Sequence, residues 1–297
     1  MFVIKHQKIF LAISGILVLA SLIGVAVFGL KIGIDFKGGA LTEIAYVGDK
    51  PEISEVQEKV ATLEIGEALV QPVGESGVYI KTRDLSETER QELIETLTFE
   101  GKYSLEERSF TNVGPTVGKE LRRKSVVSLT LVAIMIILFI AYAFRGVSKP
   151  VSSWKYGLIA IVTLLHDVIL TMGVFALLSH TLGVEADTLF VVALLTVLGL
   201  SVNDTIVVFD RVRESIQRKI SDDFRVIVGK SLEQTMVRSL NTSLSTIVVL
   251  LALFFVGPES TKIFAITLAS GMFFGAYSSI FVASPLLVLV EKWQKKG

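Results

Sequence analysis

Residues 188–209 read TLFVVALLTVLGLSVNDTIVVF, an apolar run long enough to cross a bilayer as a helix and interrupted by one charge, Asp204. A hydrocarbon core about 30 Å thick takes around 20 helical residues. An ionised carboxylate inside it costs about 2.5–3.5 kcal/mol on insertion scales, so such residues face a bundle interior, a water file or a partner charge rather than lipid. The stretch therefore predicts a membrane helix within a bundle, and Asp204 points to ion-coupled work there.

Five more stretches are long and apolar enough to span, near residues 10–30, 125–144, 157–178, 239–256 and 263–290. Composition agrees: 51% of residues are hydrophobic and mean hydropathy is +0.63, too apolar for an ordinary soluble domain. Ile9 to Leu30 carries no charge and exceeds the usual signal-peptide core of about 7–15 residues, so it reads as a retained anchor. Net charge is zero with no basic tract interleaved with aromatics, which gives no support for nucleic-acid binding. The absence of cysteine excludes disulfides, thiolate metal sites and a cysteine nucleophile. No span carries HExxH, so neither an enzyme nor a metal or other cofactor is expected.

Lys and Arg near span ends set orientation, most reliably in short loops. Lys5 and Lys8, then Arg145, Lys149 and Lys155, then seven basic residues from Arg211 to Arg238, then Lys292, Lys295 and Lys296 all fall on one side. The other side has only Lys262 in its short loops, and Ser179 to Asp187 holds Glu185 and Asp187 without a cation. Both termini are accordingly expected in the cytoplasm. Lys119, Arg122, Arg123 and Lys124 dissent, but they end a long exported segment, where the rule is weak.

That segment, residues 31–124, has 18 acidic and 13 basic residues. Ala40 to Val47 alternates as a strand, Pro51 to Leu63 reads as a helix, Ala68 to Val73 and Val78 to Thr82 as strands, and Tyr103 to Phe110 as a last strand. Ser86-Glu87-Thr88-Glu89 offers an N-cap with Glu at the third helical position, followed by the stripe Leu93, Ile94 and Leu97. The β-α-β-β-α-β order predicts a ferredoxin-like sandwich. The fold class is thus a polytopic α-helical membrane protein: an N-terminal tail and first helix over 1–30, a small exported α+β domain over 31–124, and five more transmembrane helices over 125–297.

Polar residues on helical spacing sharpen the membrane part. In the fourth span Thr196, Gly199, Asn203 and Asp204 share a broad face; in the fifth, Arg238, Thr242 and Ser245 recur at i, i+4 and i+7 beside Asn241. These faces are expected to meet inside the bundle. Gly271 and Gly275 in the sixth have GxxxG spacing and precede Ser278 and Ser279, allowing close backbone approach. His166-Asp167 sits halfway along the third span, either in an ion path or as a hydrogen-bonded tie between helices. Packing and snorkelling are the plain alternatives for Asp204, and a positive-inside anchor for Arg238.

Several motifs together resemble the SecD/SecF protein-export family, and within it the smaller SecF-type subunits. They are Gly33-Ile34-Asp35-Phe36-Lys37-Gly38-Gly39, Val113-Gly114-Pro115-Thr116-Val117-Gly118, His166-Asp167, the run from Ser201 to Arg211, and Arg238-Ser239-Leu240-Asn241-Thr242-Ser243. One span, an exported domain and five more spans also resembles half of the resistance-nodulation-division architecture.

The resemblance implies an accessory subunit of the Sec translocase in the bacterial cytoplasmic (inner) membrane. It would work with a SecD-like partner, use the proton or sodium motive force, and help draw an unfolded preprotein from the SecYEG channel through the lipid bilayer. In this resemblance Asp204 and Arg238 carry ion coupling. One charge crossing about 100 mV supplies about 2.3 kcal/mol, and each pH unit about 1.36 kcal/mol more. Changing the distance between a carboxylate and an arginine binds or releases a proton. Gly33, Asp35, Gly38 and Gly39 form a linker expected to transmit the change. Two competing classes are a small-molecule or lipid exporter of the same architecture and a passive assembly subunit.

Overall fold

The computed structural model describes residues 1–145 and 151–296, so Lys149, counted above among the basic loop residues, lies outside the described residues. The chain forms two compact units, Met1–Lys31 with Val127–Gly297, and Ile32–Val126. In chain order α1 (Phe2–Lys5) and α2 (Gln7–Phe28) are followed by α3 (Ile34–Lys37), β1 (Gly39–Val47), α4 (Ile53–Ala61), β2 (Leu69–Val73), β3 (Gly77–Thr82), α5 (Glu87–Leu97) and β4 (Ser104–Val113). The remaining helices are α6 (Pro115–Ala143), α7 (Ser153–Leu182), α8 (Thr188–Gln217), α9 (Phe224–Val256), α10 (Glu259–Ser278) and α11 (Ser284–Lys296), the last two joined by a π-helical turn, Ser279–Ala283.

In the smaller unit the strand order is β2-β3-β1-β4, with every neighbouring pair antiparallel. Alternation decides which side chains are inside: Ala40 and Ile44 of β1 and Val78 and Ile80 of β3 join Val56 and Val60 of α4 and Leu93 and Leu97 of α5 in one core. The start of α5 is a complete capping box. The Ser86 hydroxyl accepts from Glu89 N at 3.3 Å and the Glu89 carboxylate accepts from Ser86 N at 2.7 Å, so two otherwise orphaned amides are satisfied. Asn112 of β4 then fixes the preceding loop, donating to Leu85 O at 2.7 Å and accepting from Leu85 N at 3.3 Å.

Six helices among the described residues are long and apolar enough to cross a membrane: α2, α6, α7, α8, α9, and α10 continued through the π turn into α11. Several exceed the apolar runs that marked them. Helix α9 begins at Phe224, well before the apolar stretch near 239, because hydropathy marks only the hydrocarbon part of a helix. Outside it, polar contacts keep α8 and α9 together: Ser231 donates to Ser215 at 2.9 Å, and Arg211 donates to Gln234 at 2.6 Å.

Half or more of the apolar stretches of α7, α8 and of α10 with its continuation is buried, against 17% in α9 and 6% in α2 and α6. The first three form the centre, and α9 leaves most of its surface uncovered. Glycine permits the tightest contact there. A Cβ at Gly275 would lie 3.0 Å from Ser201 Cβ, and one at Gly271 would overlap Val197. Thus the GxxxG spacing of α10 does receive a neighbouring helix, α8, as small-residue packing predicts.

Candidate functional site

Two of the buried carboxylates of the helical unit, Asp167 and Asp204, lie in unlike surroundings. Asp167 of α7 is fully buried. Its Oδ1 is 2.8 Å from His166 Nδ1, while its Oδ2 accepts from Ser201 of α8 and, at 2.8 Å, from Ser278 of α10. Three donors on an acceptor-only group satisfy most of what it can accept, and they tie α7, α8 and α10 together. The His166 ring stacks over Tyr277 with centroids 6.2 Å apart, and the Tyr277 hydroxyl shares a 3.1 Å hydrogen bond with Ser14 of α2. His166 Nε2 is buried without a hydrogen-bond partner among the described residues. One turn along, Thr205 and Ser279 share a hydrogen bond of 3.1 Å. Ser278 and Ser279 both serve because the π turn starts there, and such turns recur at functional places in helices.

Asp204 of α8 is 7% exposed and takes one hydrogen bond, from Ser243 of α9 at 3.0 Å. With Ser215 opposite Ser231, this sets the antiparallel register of the two helices. Ser243 is level with Asp204; Arg238 lies five residues earlier on α9, about 7.5 Å along the axis and about 140° around it. Arg238 is exposed, and no ion pair joins it to Asp204 among the described residues.

The expected meeting of polar faces inside this bundle is therefore corrected. Arg238, Asn241, Thr242 and Ser245 of α9 and Asn203 and Gly199 of α8 are all exposed. Thr242 and Ser245 return their hydroxyl protons to the carbonyls of Arg238 and Asn241, at 3.0 and 2.7 Å. The buried face of α9 carries Ser239, Ser243 and Leu250 instead. Ser239 and Ser243 enter the sequence only as part of the Arg238 to Ser243 motif, although their i, i+4 repeat is a signal for this face; the larger polar residues beside them point to the opposite one. Ser278, noted only as following the GxxxG pair, turns out to hold Asp167.

In the smaller unit the two glycine-bearing motifs pack on each other. Gly38 has φ +84° and a Cβ there would lie 3.0 Å from Pro115 Cα; Gly39 has φ +134° and its Cβ would meet Thr82 O at 2.7 Å. Both positions thus need glycine for conformation and for space. Gly33 is extended with φ −73° and starts α3, in which Asp35 stands half-buried. No group of three or more His, Cys, Asp or Glu able to hold a metal ion occurs among the described residues.

Comparison with known proteins follows the same outline. Residues 93–293 match the family model described as protein export membrane protein SecD/SecF, C-terminal. The chain is 42% identical to protein translocase subunit SecF of Thermobaculum terrenum, covering 99% of this chain and 94% of that one. It is 36% identical to the SecF subunit of Synechocystis, covering 98% and 94%. Among solved structures it is similar to SecDF, a translocon-associated membrane protein from Thermus thermophilus, with TM-score 0.82 at 29% identity. That match covers 98% of this chain but 38% of the longer SecDF chain.

Proposed function

The chain belongs to the SecD/SecF family of protein-export membrane proteins, and we propose that it is an accessory subunit of the Sec preprotein translocase, coupled to an ion gradient through Asp204 and Arg238. In this reading it sits in the bacterial inner membrane with both termini cytoplasmic. Residues 31–124 form an exported, ferredoxin-like domain; the four-stranded sheet with its two helices supports that assignment. A SecD-like partner covers the remaining face, and the pair acts on an unfolded preprotein at the SecYEG channel.

The observation that carries the proposal is the uncovered polar face of α8 and α9. Asn203, Arg238, Asn241, Thr242 and Ser245 are exposed beside a nearly buried Asp204. An arginine facing lipid costs about 2.5–3.5 kcal/mol at a helix centre on insertion scales, and Arg238, where the apolar part of α9 begins, bears a share of that cost. A homologous helix bundle placed there supplies the missing polar contacts and completes a site of which this chain holds half. Gly199 favours the approach, since a Cβ added there meets nothing within 4 Å.

Asp204 is the exchanging group. It has one hydrogen bond, and Arg238 is about one and a half turns away on a different face, so a small shift of α9 against α8 changes how far its carboxylate is from a positive charge and hence its proton occupancy. Asp167, held by donors from its own helix and two others, is the fixed tie against which that shift occurs. For export to be driven, protonation must favour one of two arrangements of the exported domain. The packed Gly38 and Gly39 segment is the proposed transmitter.

The test is preprotein export by the reconstituted chain, SecD-like partner and channel under an imposed proton gradient, comparing wild type with Asp204→Asn. Loss of the gradient-dependent fraction from an assembled complex supports the assignment. Unchanged gradient dependence removes coupling from this subunit, and a response to a sodium gradient alone identifies the other ion.

A further inference from the structure

On the side of α9 away from its uncovered polar face, an apolar slot of about 430 Å³ opens between α1, α2, α9 and the π turn. Phe10, Gly229, Leu232, Met236 and Phe281 line it. A second pocket, also of about 430 Å³, shares Met1, Phe2 and Ile4 with the first and adds Lys5, Asp223 and Arg225. One continuous wall thus changes from apolar to cationic over the length of α1.

The charges at the cationic end are unevenly committed. Asp223 caps α9, accepting from Arg225 N at 2.9 Å, and Glu233 at the rim of the slot is held by the Met1 amino group. Neither Lys5 nor Arg225 has an ion-pair partner among the described residues. The Phe10 ring packs at a tilt against Phe281 with centroids 4.6 Å apart, and Phe281 likewise against Tyr277 at 5.0 Å, so the apolar wall runs from the helix ends into the span.

We propose that this slot binds one anionic phospholipid, its phosphate at Lys5 and Arg225 and an acyl chain along Leu232, Met236 and Phe281. An amphiphile with a negative head and an apolar tail complements both halves of the wall. A protein segment would leave one half poorly matched: an apolar helix leaves the two cations unpaired, and an acidic one leaves the slot empty. The inference needs only that the helical unit lies in a membrane, and it is independent of ion coupling.

Native mass spectrometry of the full chain in detergent, titrated with palmitoyl-oleoyl phosphatidylglycerol and with the matching phosphatidylcholine, tests it. Two juxtamembrane cations, at about 1 kcal/mol each, predict about 30-fold tighter retention of the first phosphatidylglycerol. Lys5→Gln with Arg225→Gln should abolish that preference while leaving phosphatidylcholine retention unchanged, and Lys230→Gln, an exposed cation outside both pockets, should preserve it. Gly229→Leu, whose Cβ would come 3.1 Å from Met1 Cγ, should weaken both lipids by filling the slot. Equal retention of the two lipids by wild type, or a preference surviving loss of Lys5 and Arg225, overturns the proposal. So does full displacement by equimolar glycerol 3-phosphate, because the site would then bind an anion without a tail.

Discussion

Asp167 and Asp204 are carboxylates on adjacent central helices of one bundle, yet one is anchored and the other is left nearly free. Asp167 collects three donors from α7, α8 and α10 and has no exposure. Asp204 collects one and lies beside a polar face that the chain does not cover. A membrane carboxylate is therefore not a mechanistic sign by itself. What separates a structural tie from an exchanging group is how many of its acceptor sites the fold has already filled, and whether anything mobile can reach the rest.

Truncation should reveal the contrast most strongly. Asp167→Ala leaves His166, Ser201 and Ser278 without their shared acceptor, and a loss of about 3–5 kcal/mol is expected for breaking such a buried network, read as thermal unfolding in detergent. A loss under about 1 kcal/mol would show that the tie is not structural. Next comes the packing that brings its donors together: Gly275→Val forces branched carbon into a 3.0 Å gap against Ser201 and should cost about 1–3 kcal/mol, measured in the same assay.

Asp204→Asn should change unfolding by less than about 1 kcal/mol, since an amide still accepts from Ser243, while gradient-driven export disappears. A stability loss equal to that of Asp167→Ala would erase the distinction. Arg238→Ala should move the isolated chain's stability by less than about 0.5 kcal/mol, as for exposed positions generally, yet reduce co-purification with a SecD-like partner. Unaltered co-purification would argue that something else covers this face.

A carboxylate in water gives the smallest effect and calibrates the other two. The Arg83 guanidinium, then the Ser86 backbone amide and hydroxyl, lower the Glu89 carboxyl to about 2. A lowered value stabilises the folded state above the ordinary carboxylate range and loses that contribution as pH falls toward about 2. Glu89→Gln should therefore flatten the acid-side decline in hydrogen-exchange protection of the first turn of α5. An unchanged decline would assign it to other carboxylates.

Much of the molecule was legible from local pattern. Alternation placed β1 and β3, the Ser86 to Glu89 spacing placed the start of α5, and six uncharged or nearly uncharged runs placed the spans, because each depends on neighbours three or four residues apart or on hydrocarbon thickness. Gly271 and Gly275 also announced a close approach, though not which helix would make it.

The chemistry of the two aspartates was decided elsewhere. Asp204 and Asp167 stood out by themselves as charges in apolar runs, but their partners Ser243, Ser201 and Ser278 lie 39, 34 and 111 residues away. Nor does periodicity say which of two polar stripes on α9 turns inward. Ser239 and Ser243 are small enough to pack against α8, whereas Arg238, Asn241 and Thr242 are larger or charged and were left outside. Local pattern is enough to mark six runs long and apolar enough to cross a membrane, and the charges within them. Only tertiary packing decided which charge is satisfied at home, because hydrogen bonds between helices depend on rotation and register that no single helix specifies.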